Sequence, residues 1–325
     1  MSNPPGGQHP GPVTEAAPIA AEAGDAWHAA GQAAARGGFT VREVTEPADH
    51  RAVERLLREI WETGKSATPM PGDVLRMLSY TGAYVAAADC DGELIGAAVG
   101  FLTGPRAGLA STHLHSHIAG VASGHRGRHV GFALKLHQRA WALERGFDRI
   151  TWTFDPLVRR NAYFNLAKLR ARVSRYLVDF YGDMPDGINA GQGSDRILVD
   201  WWLRSPEVTA AAWPGPPAAT PAPAPAPGAA AAAAVPAGPV LRSRALLRCG
   251  PAQQPEAGVV TGPGPVICEI PADIETLRRA DPALARAWRR AVRAVLQSAL
   301  AAGATITGFD RTAGYLLDGH WDGAK

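Results

Sequence analysis

The chain has 325 residues, a formal net charge of +3 and three cysteines. That length suits one large or two modest domains, the charge is too mild to imply a nucleic-acid partner, and no apolar run approaches the roughly 18 residues that a membrane helix needs. Cys90, Cys249 and Cys268 lie far apart without metal-ligand spacing, which reads as reduced thiols in a cytoplasmic protein.

Residues 1–38 are dominated by Ala, Gly, Pro and polar side chains without an apolar period, and are expected to be disordered. They lack the basic start and apolar core of a signal peptide. Residues 39–44 alternate apolar and polar, the pattern of a first strand. Pro47-Ala48-Asp49 opens a helix to about residue 62, with Val53, Leu56, Leu57, Ile60 and Trp61 as its inward stripe. After a polar loop, Pro71 starts a shorter helix through residue 78. Residues 83–88 and 93–102 read as strands joined by Asp91-Gly92, a hairpin signal. A strand at 113–122 leads through a basic, Gly-containing turn into an amphipathic helix that stops at Gly146. A strand at 149–154, a helix at 161–170 and strands at 173–180 and 196–203 follow.

Residues 206–240 are Ala/Pro-rich, cannot bury a core and read as a semi-extended, disordered linker. Beyond it, residues 266–270 suggest a short strand. Asp281 caps a helix that has Pro282 at its first position and Gly303 at its end, and strands are expected at 305–309 and 314–317. Residues 241–325 thus form a small strand–helix–strand extension. It is too small to stand comfortably alone and is expected to dock on the core.

Chemistry gathers around the central turn, Arg126-Gly127-Arg128-His129-Val130-Gly131. A turn at a helix N-terminus aims unpaired N–H groups at one point, and the helix dipole adds positive charge there, so the point attracts phosphate. Arg126 and Arg128 add two formal charges. On the strand before it, His113, His115 and His117 recur at period two and share a face unless a bulge intervenes. A neutral imidazole can accept a proton near pH 7. Blander readings stand beside these: an exposed basic turn of a helical protein, packed histidines with bonded ring nitrogens, or a metal site, for which no acidic or Cys ligand is near in sequence. Asp155-Pro156 ends a strand in a way that holds a gap open. Asn189, in a Gly-rich loop, and Arg196 suit a carboxylate, the arginine bidentately.

The turn resembles the pyrophosphate-binding turn of the GNAT acyltransferase superfamily, Gln/Arg-x-x-Gly-x-Gly/Ala. His129 stands where the first Gly is expected, while Arg128 to Ala133 satisfies the pattern in full. The order of elements over residues 39–203 is similar to the whole GNAT core: α/β (α+β), a mixed, mostly antiparallel sheet with a splayed parallel strand pair, flanked by helices. The resemblance implies acetyl-CoA or another acyl-CoA as cosubstrate, no metal, and transfer by direct attack of a small-molecule amine, with amino acids among the candidates. Some relatives transfer succinyl. It implies a backbone donor to the thioester near Val121, phosphates on Arg126, Gly127, Arg128, His129, Val130 and Gly131, and Asn161 in place of the family's cofactor-contacting Asn. His115 falls where some members carry a Glu base six positions before Val121, and His117 is the neighbouring candidate. The family's acid is a Tyr that this chain lacks, since Leu166 stands there; Tyr163 is the nearest phenol. Asn189 and Arg196 fall in the loop that closes over the acceptor. Neither nucleic acid nor membrane is an expected partner, and a homodimer is open. The alternative function is a non-catalytic acyl-CoA-binding or regulatory module.

Overall fold

The computed structural model describes residues 16–63, 68–104, 112–182, 193–212 and 244–323. Seven strands form one mixed sheet: β1 (Thr40–Glu43), β2 (Tyr84–Cys90), β3 (Glu93–Thr103), β4 (His113–Val121), β5 (Arg149–Phe154), β6 (Arg172–Leu177) and β7 (Arg196–Trp202). Their spatial order is β1-β2-β3-β4-β5-β7-β6. Only β4 and β5 run parallel; the other neighbours are antiparallel. Asp91 and Gly92 both take positive φ at the β2–β3 hairpin, as a tight primed turn requires.

Period-two burial assigns the faces. Val85 and Ala87 of β2 pack with Val53, Leu56 and Leu57 of α2 (Pro47–Ile60) and Leu75 of α3 (Gly72–Tyr80). Tyr84, Ala86 and Ala88 face the opposite layer, where α4 (Val130–Glu144) lies. That helix is buried nearly all round, polar side chains included, which an amphipathic surface helix would not be.

The cover is α1 (Ala16–Arg36), which corrects the expected disorder of this stretch. Ala23, Ala26, Ala30 and Ala33 are buried at helical spacing. Alanine offers little contrast in a hydropathy pattern, yet its small side chain lets two helices approach closely. Residues 1–15 lie outside the described residues. The expected linker is also helical at its start, in α6 (Pro206–Ala212), where Val208 and Ala212 are buried; the rest of it, 213–243, is outside the described residues. Between β5 and β6, α5 (Arg159–Ala162) continues into a π-helical turn, Tyr163–Lys168.

The C-terminal unit is larger than one helix between strands. β8 (Ala245–Cys249), β9 (Pro255–Ala257), β11 (Val266–Glu269), β12 (Thr305–Asp310) and β13 (Gly314–Asp318) form a second sheet, and β10 (Thr261–Pro263) pairs with β14 (His320–Asp322). Its helices are α7 (Ile274–Ala280), capped by Asp273, and α8 (Pro282–Ala301), capped by Asp281. The unit reaches the core through a shared apolar cluster and through charge. Asp155, just past β5, accepts from Arg278 at 2.6 Å and Arg289 at 2.8 Å, and Asp195 accepts from Arg293 at 2.7 Å.

Candidate active site

β4 and β5 pair only at Leu114 with Ile150 and His115 with Thr151. Beyond that the strands part. The wedge between them is a cleft of about 1020 Å³, walled by residues 117–121 on one side and 153–155 on the other. Trp61 closes over the β4 wall: a Cβ on Gly120 would lie 2.6 Å from its ring. Thr63, Thr68 and Pro69 extend the rim.

The basic turn stands at the mouth of this cleft. Gly127 and His129 both have positive φ, 83° and 63°. His129, the residue before α4, therefore occupies a left-handed position that costs an L-residue roughly 1–2 kcal/mol, which is the physical reason a glycine is expected there. Arg126, Gly127, His129, Val130 and Gly131 line the cleft, as do Val121, Asn161, His117 and Arg196. Arg128 does not. It donates to the carbonyl of Gly37 at 2.8 Å and contacts His125 Nδ1 at 3.0 Å, tying the turn to the end of α1. Asn189 lies outside the described residues.

The histidine row is broken by a bulge. Val99 pairs with Ile118 and Gly100 with Ser116, so His117 is the extra residue of β4. His117 reaches the cleft with its ring tilted against Phe101 at 4.9 Å, and burial lowers its pKa below the ordinary 6.5. His115 is not among the lining side chains. Its Nδ1 meets Thr151 Oγ1 at 2.9 Å and its ring stacks on Phe101. Burial, helped by the nearby charges of His117, Lys135 and His113, lowers its pKa to about 4. His113 sits with Thr103 and Arg149. Among the described residues no three His, Cys, Asp or Glu side chains gather as a metal site. Tyr163 is also outside this cleft. Its ring lies under the guanidinium of Arg311 and lines a neighbouring hollow, because the π-turn starts at this residue.

Sequence reasoning missed Lys135. From α4 its ammonium enters the fork of the parting strands, donating to Ser116 Oγ of β4 at 2.8 Å and lying 3.9 Å above the ring of Trp152 of β5. Gln138 Oε1 accepts at 3.0 Å. Burial without a carboxylate partner lowers its pKa to about 7. A lysine between Leu134 and Leu136 was the available signal, since it interrupts a face that packs inward.

At the far end of the cleft, Arg196 and Arg278 flank Asp155. Burial opposes ionisation of Asp155, but Arg289 and Arg278 outweigh it and hold the carboxyl well below its usual range. Burial lowers the pKa of Arg196, whose guanidinium lies 5.2 Å from the Tyr181 ring centre.

Residues 50–165 match the model of the acetyltransferase (GNAT) family. No curated protein sequence matches the chain. Among solved structures, it is similar to an acetyltransferase of the GNAT family from Streptococcus pneumoniae at 12% identity and TM-score 0.41, over 50% of this chain and 98% of that one. An N-acetyltransferase from Staphylococcus aureus Mu50 is similar at 13% identity and TM-score 0.42, over 51% of this chain and 99% of that one. YncA from Salmonella typhimurium, solved with its cofactor acetyl-CoA, is similar at 15% identity and TM-score 0.41, over 51% of this chain and 94% of that one. The match to the acetyltransferase (GNAT) family model thus takes in most of the first helix after β1, the strand pair that parts and the basic turn beside it.

Proposed function

We propose that the cleft transfers an acyl group, acetyl or succinyl-like, from acyl-CoA to the amine of a small molecule by direct attack. The observation that carries this reading is the wedge itself: two parallel strands that separate after two pairs, with a positively charged helix start at the opening. Backbone groups of β4 freed by the separation can pair with an extended thioester arm. An N–H near the bulge or near Val121 can donate to the carbonyl oxygen as charge develops. A cleft of this volume suits a large, partly buried ligand.

Proton traffic then has two candidate stations. The acceptor's ammonium must lose a proton before attack. His117 is neutral at pH 7 and lines the cleft, so it suits the base. The amine nitrogen attacks the thioester carbon, the C–S bond breaks and the thiolate leaves, and the nitrogen sheds its second proton to solvent to give the amide. Lys135, poised between charged and neutral forms, suits the acid that returns a proton to sulfur, because a free thiol holds its proton to about pH 8.5. Arg196 and Arg278 suit a carboxylate on the acceptor or on the acyl group.

Release of free thiol from acetyl-CoA and succinyl-CoA, followed across a panel of amines and amino acids, tests the reading. Turnover is expected, with kcat reduced about a hundredfold or more in His117→Ala. The absence of turnover with any amine, with CoA esters still bound, would instead support a non-catalytic acyl-CoA-binding module. The position of Tyr163 outside the cleft favours that second reading.

A further inference from the structure

The wedge between β4 and β5 narrows onto a cation. The last pair of the two strands is His115 with Thr151. Ser116 and Trp152 come next, and the ammonium of Lys135 touches both: it donates to Ser116 Oγ at 2.8 Å and lies 3.9 Å above the Trp152 ring. The cleft's lining begins one residue further along each strand, at His117 and Thr153, and Lys135 belongs to it. The narrow end of the cleft is therefore closed by a lysine that is only 5% exposed.

Among the described residues no carboxylate neutralises that charge. The partners of the ammonium are two neutral oxygens, Ser116 Oγ and Gln138 Oε1, and burial alone accounts for its lowered pKa. The carboxylates in the cleft's lining are held elsewhere, Asp155 by Arg278 and Arg289, and Glu275 by Arg160. The same spot has a donor to spare. Gln138 is fully buried, and with its Oε1 on the ammonium its Nε2 has no hydrogen-bond partner. A buried cation beside a buried orphan amide calls for an anionic acceptor.

An extended arm that enters past the basic turn and pairs with β4 runs toward this end, because the wedge narrows from Val121 back to Ser116. With the thioester carbonyl at the bulge, the acyl group is the part that reaches Lys135. A methyl there would leave the ammonium buried without an anion, whereas a carboxylate would pair with it.

We propose that Lys135 is the counter-ion of the donor's acyl group, and that this group ends in a carboxylate, as a succinyl does. The proposal rests on the acyl-CoA reading above and narrows it from acetyl to a dicarboxylic acyl donor. It holds whichever group returns the proton to sulfur. Arg196 and Arg278, which share Asp155, are then left to the acceptor.

The test measures calorimetric Kd for succinyl-CoA and butyryl-CoA on the full chain without an amine, in the wild type and in Lys135→Met. The two esters have acyl chains of equal carbon number and differ in the terminal charge. The wild type is expected to bind succinyl-CoA about tenfold more tightly, the effect of one charge-assisted contact. Lys135→Met, which keeps an unbranched side chain, should lose that preference by weakening the succinyl ester alone. Equal binding of the two esters by the wild type, or tighter binding of butyryl-CoA, would overturn the proposal and leave the acyl-CoA reading intact. A preference that survives in Lys135→Met would also overturn it, by placing the carboxylate on another cation. So would equal weakening of both esters, which is what loosened packing does. Binding of neither ester by the wild type would overturn the acyl-CoA reading and this proposal with it. The wild-type comparison decides the donor class even where the variant does not fold.

Discussion

The N-terminal helix and the C-terminal unit both lie against the seven-stranded core and share its apolar cluster, but only the C-terminal unit adds fully buried ion pairs to that contact. α1 lays alanines on α4, with Trp27 as a large anchor: its ring stands edge-on to His137 at 4.7 Å and its Nε1 donates to Glu144 at 3.1 Å. The C-terminal unit buries ions. Arg278 and Arg289 converge on Asp155, Arg293 and Tyr176 on Asp195, and Tyr315 donates to the carbonyl of Pro156 at 2.7 Å. An apolar contact is non-directional and tolerates a small slide. A buried ion pair tolerates none, because an unmatched charge out of water is strongly unfavourable. The attachment that borders the cleft is the one that fixes position.

Removing the carboxylate is the severest way to break that contrast. Asp155→Ala leaves Arg278 and Arg289 without their shared partner and should cost about 3–5 kcal/mol in urea unfolding. At the other attachment, Ala30→Leu forces a large side chain into the α1–α4 contact and should cost about 1–3 kcal/mol, with the charged network undisturbed. Acid separates the two without mutation. Asp155 has a folded pKa depressed from its ordinary 3.8. The stability it adds is therefore complete above that value and drains away as pH falls through the lower folded value, by about 1 kcal/mol at pH 3. Hydrogen exchange at pH 3 should show α8 loosening before α1, whose buried alanines do not titrate. The smallest effect belongs to the turn between these regions. His129→Gly relieves a left-handed residue and should raise stability by less than about 1 kcal/mol, leaving both attachments as they are.

The sheet was largely legible in the sequence. Its strands alternate or run apolar, Asp91-Gly92 marks the hairpin, and the turn before α4 announces a helix start that attracts anions. What escaped was whatever depends on partners distant in sequence. α1 is written in alanine, which contrasts with nothing around it. Asp155 reads as a strand-ending residue, and the arginines that define it lie 123 and 134 positions away. Lys135 becomes a cleft residue only because β4 and β5 part beside it. The histidine row shares a face only where no bulge intervenes, and here one does. One extra residue in β4 changes the strand's phase, so His117 enters the cleft while His115 is held by Thr151 and Phe101.

The bond from Arg128 to the carbonyl of Gly37 has a consequence for how the turn behaves. One of the two arginines in the turn is spent on the backbone at the far end of the first helix, so the loop is moored at its outer edge as well as at its root in α4. Peeling the first helix away would cut that mooring and leave the turn slack, with no change to its sequence.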